Sequence, residues 1–145
     1  MKILIKRIRG LSYPSKWLLL KGLSLACFIR LSLKITNFKK TLAILSRFEG
    51  NGRAVQNGGN HNDVAQYHTL IILASGFTPF INCLSVSIAY WWLMKRKGII
   101  THLKFGMRTE NEKLLAHAWL EYEGEALTEK MEVDEKYISF KESIL

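Results

Sequence analysis

The chain has 145 residues, 48% of them hydrophobic and 23% charged, with 21 lysines and arginines against 12 aspartates and glutamates. This length accommodates one domain with a single core, and the composition excludes a disordered or fibrous protein. The two cysteines, Cys27 and Cys83, are interpreted as reduced thiols, because nothing else in the chain suggests a small secreted disulfide scaffold.

The net charge of +9 is unevenly distributed. Residues 1–53 contain Glu49 as their one acid, whereas acidic residues dominate from Glu110 onward. This asymmetry points to an acidic partner or a peripheral membrane contact for the N-terminal half, and a basic face that is merely solvated is the alternative. Nucleic acid is not expected, because the basic residues are spaced through an apolar helical pattern. Lys16 and Lys21 interrupt the apolar run that an export signal requires, so we expect the protein in the cytoplasm.

Apolar residues recur at helical spacing over residues 15–48, which predicts two amphipathic helices. Gly22 weakens the first of them, and 36–37 offers an N-cap for the second. Cys27 lies among apolar neighbours within the first helix and is interpreted as core filling.

A segment rich in glycine and asparagine follows these helices and marks the best boundary in the chain. We therefore divide the chain into a basic N-terminal helical subdomain at 1–49, a flexible linker at 50–62 and a core at 63–145. Within the core, the first helix is expected over about 64–74, capped by Asn62 or Asp63.

No residue carries a formal charge between Thr69 and Met94, a length that could cross a bilayer. Gly76 and Pro79 divide this run into two pieces that are each too short to span. The sequence therefore predicts two buried helices that meet at a turn.

The second of these helices has well-marked ends and is predicted over Cys83–Lys97. Asn82 is a good N-cap, and Gly98 suits the position after the last turn. Beyond it, alternation and turn residues predict strands over 99–107 and 114–122, a turn at Glu123-Gly124 and a returning strand over about 125–133.

Cys83 and His117 are the candidate catalytic pair. A helix N-terminus favours an anion, so a thiol placed there ionises more readily, and the free amides nearby can bind an oxyanion. A thiolate nucleophile also needs a base, and His117 lies within the second predicted strand on one face with Trp119 and Glu121. The other histidines are interpreted as structural or solvated.

A third residue is expected to orient the imidazole. With a three-residue hairpin turn, His117 lies opposite Glu129, whereas a two-residue turn places Lys130 there. Glu121, Glu125 and Asp134 are the alternatives. No metal-ligand spacing and no glycine-rich phosphate loop occurs, so neither a metal nor another cofactor is expected.

Several motifs carry a resemblance to a known family: Cys83-Leu84 opening a helix that ends in 94–99, the run Ala116–Glu121 and the hairpin at Gly124. Residues 82–129 resemble the lasso-peptide biosynthesis B proteins, the leader peptidases of microcin J-type processing. The resemblance implies an α+β fold with a papain/transglutaminase-like core. In such a core, a helix carrying the cysteine packs on a small antiparallel sheet carrying the histidine and the acid, here after an N-terminal helical subdomain.

The resemblance also implies the activity. The family uses Cys, His and Asp, which correspond to Cys83, His117 and, as a departure from the family, Glu129. The expected reaction is removal of the leader from a ribosomally made lasso-peptide precursor, alongside a small leader-recognition protein and a macrolactam-forming cyclase. Two alternatives remain open: an acyl transferase of the same fold, and a membrane-associated binding or scaffold protein.

Overall fold

Helices and a small antiparallel sheet make up the part of the chain that the computed structural model describes, namely residues 2–47, 61–77, 81–110, 113–127 and 138–139. The helices are α1 (Lys2–Arg9), α2 (Tyr13–Ile35), α3 (Phe38–Arg47), α4 (His61–Ser75) and α5 (Cys83–Arg96). The strands are β1 (His102–Glu110), β2 (Lys113–Tyr122), β3 (Glu125–Ala126) and β4 (Ile138–Ser139), in the spatial order β3-β2-β1-β4. Every pairing in this sheet is antiparallel.

Helix α5 is the centre of the molecule. It is apolar on almost every side, as expected of a helix that is covered all round. Helices α2 and α4 and strands β2 and β1 all contact it. Its buried residues are Ser85, Val86, Ser87, Ile88, Ala89, Tyr90, Trp91, Trp92 and Met94.

The N-terminal helices share the core of α5. Leu19, Ala26 and Ile29 of α2 are buried in the same apolar cluster as the residues of α5. The indole Nε1 of Trp92 donates a hydrogen bond of 3.1 Å to the carbonyl of Leu45 in α3. Most of the predicted linker lies outside the described residues, so the division at 50–62 stays a prediction.

Cys27 does not fill the core, and that prediction is wrong. Its neighbour Ala26 is fully buried, but each residue of a helix is turned about 100° from the one before it. Cys27 is therefore exposed on the surface of α2, where it is a free thiol. An apolar local sequence could not reveal which side of α2 meets the rest of the protein.

The ends of α5 agree with the prediction to within one residue. Asn82 accepts a hydrogen bond of 2.9 Å from the amide of Ser85, as an N-cap does. At the other end, Gly98 adopts a φ of 78°, and the amide of Ile99 bonds to the carbonyl of Met94. This motif uses the amide of Ile99, so β1 begins at His102 rather than at residue 99 as predicted.

The hairpin between β2 and β3 differs from the expected three-residue turn. Glu121 pairs with Ala126 and Tyr122 with Glu125, which leaves Glu123 and Gly124 as a two-residue turn. Both turn residues have positive φ, 51° and 83°, as tight hairpin turns require. Glutamate is uncommon at such a position, so the sequence did not distinguish the two turns.

The uncharged run over 69–94 forms parts of α4 and α5, as predicted. Within the described ranges, no helix combines the length and the apolar character needed to cross a bilayer. α4 begins at His61, before the predicted start near Val64, so Asn62 and Asp63 lie in its first turn rather than before it.

Candidate active site

Cys83 is the first residue of α5 and has a half-buried, free thiol. Asn82 before it is extended and accepts the Ser85 amide, so the cap fixes the direction in which the chain enters the helix. The hydroxyl of Ser85 also donates to the carbonyl of Asn82 at 2.9 Å. The cysteine is thus held at a rigid helix start rather than on a loose loop.

The first turn of α5 also offers hydrogen-bond donors. Helix geometry leaves the first amides without an intrahelical acceptor, and Asn82 takes only that of Ser85. The amides of Cys83 and Leu84 therefore remain next to the thiol, at the positive end of the helix dipole. Donors in this position can stabilise an oxyanion that forms on a carbonyl under attack by the thiolate.

Ser87 connects the cysteine helix to the histidine strand. Its side chain is buried, and its hydroxyl donates a hydrogen bond of 3.0 Å to the carbonyl of Ala118 in β2. Ser87 lies four residues after Cys83, and hence on the same face of α5 about 6 Å further along. Ala118 is the residue after His117. The structure therefore brings the chain segments of Cys83 and His117 together through this bond.

His117 lies on β2 opposite Gly106 of β1, and its ring stacks on that of Trp119 with centroids 6.1 Å apart. Leu120 of the same strand belongs to the core shared with the helices. Because successive strand residues alternate, His117 and Trp119 lie on the other face of the sheet, together, as predicted. That face is turned away from α5, the helix of Cys83. Direct proton transfer needs the imidazole about 3 Å from the thiol, so the Cys83–His117 pairing is not shown by this arrangement and stays a prediction.

Glu129 lies outside the described residues. The hairpin has a two-residue turn, and continuing its register would pair His117 with Lys130 instead of Glu129. The pairing that supported Glu129 is therefore lost. The assignment of Glu129 now rests on the family resemblance alone.

Two of the alternative acids are described. Glu121 shares the face of His117, but four strand residues separate them by about 13 Å, beyond hydrogen-bond reach. Glu125 lines a cleft of about 320 Å³ between α4 and the hairpin, together with His68 and Tyr122. Asp134 lies outside the described residues, as Glu129 does.

Ser87 was not among the residues predicted from the sequence. The one feature that could have indicated it is a serine one helical turn after the candidate nucleophile, in a helix whose other residues are mostly apolar. The bond to Ala118 spans 31 residues of sequence, so only the folded arrangement identifies the partner.

Comparison with known proteins identifies a family for this chain. The sequence profile described as Transglutaminase-like superfamily matches residues 29–141, a range that covers Cys83, His117 and most of α2. No curated protein and no solved structure matches the chain. The matched range and the helix-on-sheet arrangement confirm the predicted α+β, papain/transglutaminase-like core.

Proposed function

Because this chain belongs to the transglutaminase-like superfamily, we propose that it is a cysteine peptidase that removes the leader from a lasso-peptide precursor before macrolactam cyclisation. The superfamily includes cysteine peptidases and acyl transferases. The observation that carries the proposal is the position of Cys83 at the capped start of α5, which is bonded to the strand of His117. The choice of a lasso-peptide leader as substrate rests on the resemblance over 82–129.

In the proposed reaction, the Cys83 thiolate attacks the carbonyl at the junction of leader and core. The C–N bond breaks as His117 gives its proton to the leaving amine, and a thioester joins Cys83 to the leader. His117 then takes a proton from water, which hydrolyses the thioester and releases the leader as a carboxylic acid. The amides of Cys83 and Leu84 bind the oxyanion in both steps, and Glu129 orients the imidazole.

The proposed partners are the precursor peptide, a small leader-recognition protein and a macrolactam-forming cyclase, all acting in the cytoplasm. They follow from the resemblance. No cofactor enters this reaction, because the thiol, the base and water are sufficient for peptide hydrolysis.

Acyl transfer is the second candidate, and the superfamily match favours it as much as hydrolysis. The thioester would then be attacked by an amine instead of water, so the leader would leave as an amide. The mass of the released leader, with and without an added primary amine, distinguishes the two reactions.

The deciding experiment is mass spectrometry of a candidate lasso-peptide precursor, incubated with the protein and a candidate leader-recognition protein. We expect wild type and Cys27→Ala to cut at one junction and Cys83→Ala to be inactive. Cys27→Ala is the matched control, because it removes the exposed thiol of α2. Undiminished cleavage by Cys83→Ala would overturn the assignment of the nucleophile.

The same assay assigns the base and the acid. His117→Ala is expected to lower the rate at least about a hundredfold, the scale of a lost general base. Glu129→Ala is compared with Glu121→Ala, Glu125→Ala and Asp134→Ala. A loss confined to Glu129→Ala supports the proposed third residue, and a loss confined to another variant replaces it.

A further inference from the structure

Helix α2 presents large apolar side chains on its outer face as well as on the side that packs against the core. Its inner side buries Leu19, Ala26 and Ile29. We call the outer face the six side chains of α2 that are each at least half exposed: Tyr13, Trp17, Leu20, Phe28, Leu31 and Ile35.

The members of the outer face lie along one side of α2, with the exposed Ser24 between Leu20 and Phe28. They recur at spacings of three, four, seven or eight residues, which keeps them on one side of a helix. From Tyr13 to Ile35 this stripe runs for about 33 Å. Single exposed apolar residues are ordinary on protein surfaces, but six large ones aligned on one side of a helix indicate an interaction surface.

Positive charge flanks the stripe. Lys16 and Lys34 are exposed along one side and Lys21 along the other, where its Nζ lies 5.8 Å from the centre of the Trp17 ring. Helices α1, α2 and α3 contain lysines and arginines but no aspartate or glutamate. A partner surface that covers this stripe would therefore need apolar groups against the stripe and anionic groups against the lysines on either side of it.

A second copy of the chain fits this description poorly. Pairing two outer faces would place the lysines of one copy beside those of the other, and like charges that approach each other oppose association. An anionic bilayer provides both kinds of group: acyl chains that contact the apolar side chains and lipid phosphates that attract the lysines.

We propose that the outer face of α2 docks the protein on an anionic membrane, with α2 lying flat at the interface. The stripe enters the boundary between headgroups and acyl chains, where tryptophan and tyrosine are favoured, and Lys16, Lys21 and Lys34 reach the phosphates. The inner face of α2 packs on α5, the helix that carries Cys83 and contacts the sheet. Cys83 and the sheet therefore lie on the side of α2 opposite to the outer face. Docking therefore leaves the candidate site independent of the bilayer.

The protein carries its own probe of this docking. Trp17 is 55% exposed, whereas Trp91, Trp92 and Trp119 are at most 9% exposed. Vesicles of phosphatidylcholine with 30% phosphatidylglycerol (roughly the anionic content of many bilayers) are expected to shift the emission of Trp17 to shorter wavelength. Brominated acyl chains are expected to quench it.

Variants separate the apolar from the charged contribution. The triple variant Leu20→Ser, Phe28→Ser and Leu31→Ser is expected to weaken vesicle binding at least about tenfold by loss of apolar burial. Ile100→Ser is the matched control, because Ile100 is 79% exposed but lies outside α2. Each of Lys16→Gln, Lys21→Gln and Lys34→Gln is expected to weaken binding about fivefold on anionic vesicles.

Circular dichroism of each variant establishes that the fold is intact, and binding is measured by flotation at low and physiological salt. Three results would overturn the proposal: no emission shift, equal binding to vesicles of phosphatidylcholine alone, or binding by the serine variant equal to that of Ile100→Ser. Sedimentation velocity that shows a dimer lost in the serine variant would also overturn it and assign the stripe to a second copy. None of these measurements depends on peptidase activity.

Discussion

Ser87 is a positioning residue if the candidate site works as proposed, because it acts through the backbone rather than on the substrate. Its hydroxyl and the carbonyl of Ala118 form a buried hydrogen bond of 3.0 Å between α5 and β2. Breaking such a bond leaves a buried carbonyl without this partner and costs about 1 kcal/mol of stability. A small change in the distance between helix and strand is magnified in a reaction that needs thiol and imidazole in contact.

Ser87→Ala is therefore predicted to lower kcat about tenfold with little change in KM, because the strand of His117 loses its tie to the cysteine helix. The more specific readout is the rate at which iodoacetamide alkylates Cys83 at one fixed pH. In a Cys27→Ala background Cys83 is the one remaining cysteine. We expect Ser87→Ala to change this rate, because the bond that holds the cysteine helix against β2 is lost.

Ser15→Ala provides the matched control. Ser15 is also a buried serine that connects two elements, since its hydroxyl accepts a hydrogen bond of 2.7 Å from Gln66 in α4. Both variants should lose similar stability in thermal melts, but Ser15→Ala should retain the wild-type alkylation rate. If the rates of the two variants coincide, Ser87 has a structural role only.

At the scale of the elements, α2 and α5 approach each other closely at Gly22. The sequence indicated that Gly22 weakens its helix, and the structure shows why a side chain is absent there. A Cβ at this position would lie 2.5 Å from the hydroxyl oxygen of Tyr90 and 2.6 Å from its Cζ. The Tyr90 ring is fully buried, and in a close-packed core it can move aside only by displacing its neighbours.

Gly22→Ala is predicted to destabilise the protein, although the same change in an open helix usually stabilises it by about 0.5–1 kcal/mol. The clash with Tyr90 forces the helices apart, and overpacking of this kind costs about 1–3 kcal/mol. Urea unfolding measures the difference. Gly10→Ala is the control, since the Cβ would lie 3.6 Å from the carbonyl oxygen of Arg7, an ordinary van der Waals contact. An increase in stability for Gly22→Ala would contradict the close packing.

The sequence predicted those elements whose ends carry local signals. The Asn82 cap and Gly98 delimit α5, and alternation with a glycine turn delimits β2. The predicted start of β1 and the predicted hairpin register were wrong, because each depends on a backbone conformation that several residue types can adopt. The contacts between elements had no local signal, so neither the bond of Ser87 nor the exposed side of α2 could be predicted.

At the scale of the whole molecule, stability depends on a pair of buried tyrosines between α4 and α5. The rings of Tyr67 and Tyr90 meet edge to face, with centroids 6.3 Å apart. Burial, with a further contribution from Asp63, raises the pKa of Tyr67 to about 12. Burial also raises the pKa of Tyr90, with a smaller contribution from Tyr67. Both phenols therefore stay neutral in the folded protein at pH values where an unfolded chain ionises them.

The sign of the resulting pH dependence follows from proton counting. Below pH 10 the folded and unfolded chains both hold these protons, so the stabilising contribution is fully present. Above pH 10 the unfolded chain releases them while the folded chain retains them, so the free energy of unfolding falls as pH rises toward 12. For Tyr67 alone, the difference between a pKa of about 10 and one of about 12 corresponds to roughly 2–3 kcal/mol.

We therefore predict that urea midpoints measured between about pH 8 and about pH 11.5, an interval that brackets the ordinary tyrosine pKa of about 10, fall steeply in the alkaline half. Tyr67→Phe should flatten this fall, because phenylalanine keeps the ring packing and has no proton to lose. Tyr13→Phe changes a ring that is 83% exposed on α2, so its profile should follow the wild type. An equally steep alkaline fall in Tyr67→Phe would mean that other groups cause it, and the buried pair between α4 and α5 would lose its role in the stability of the whole domain.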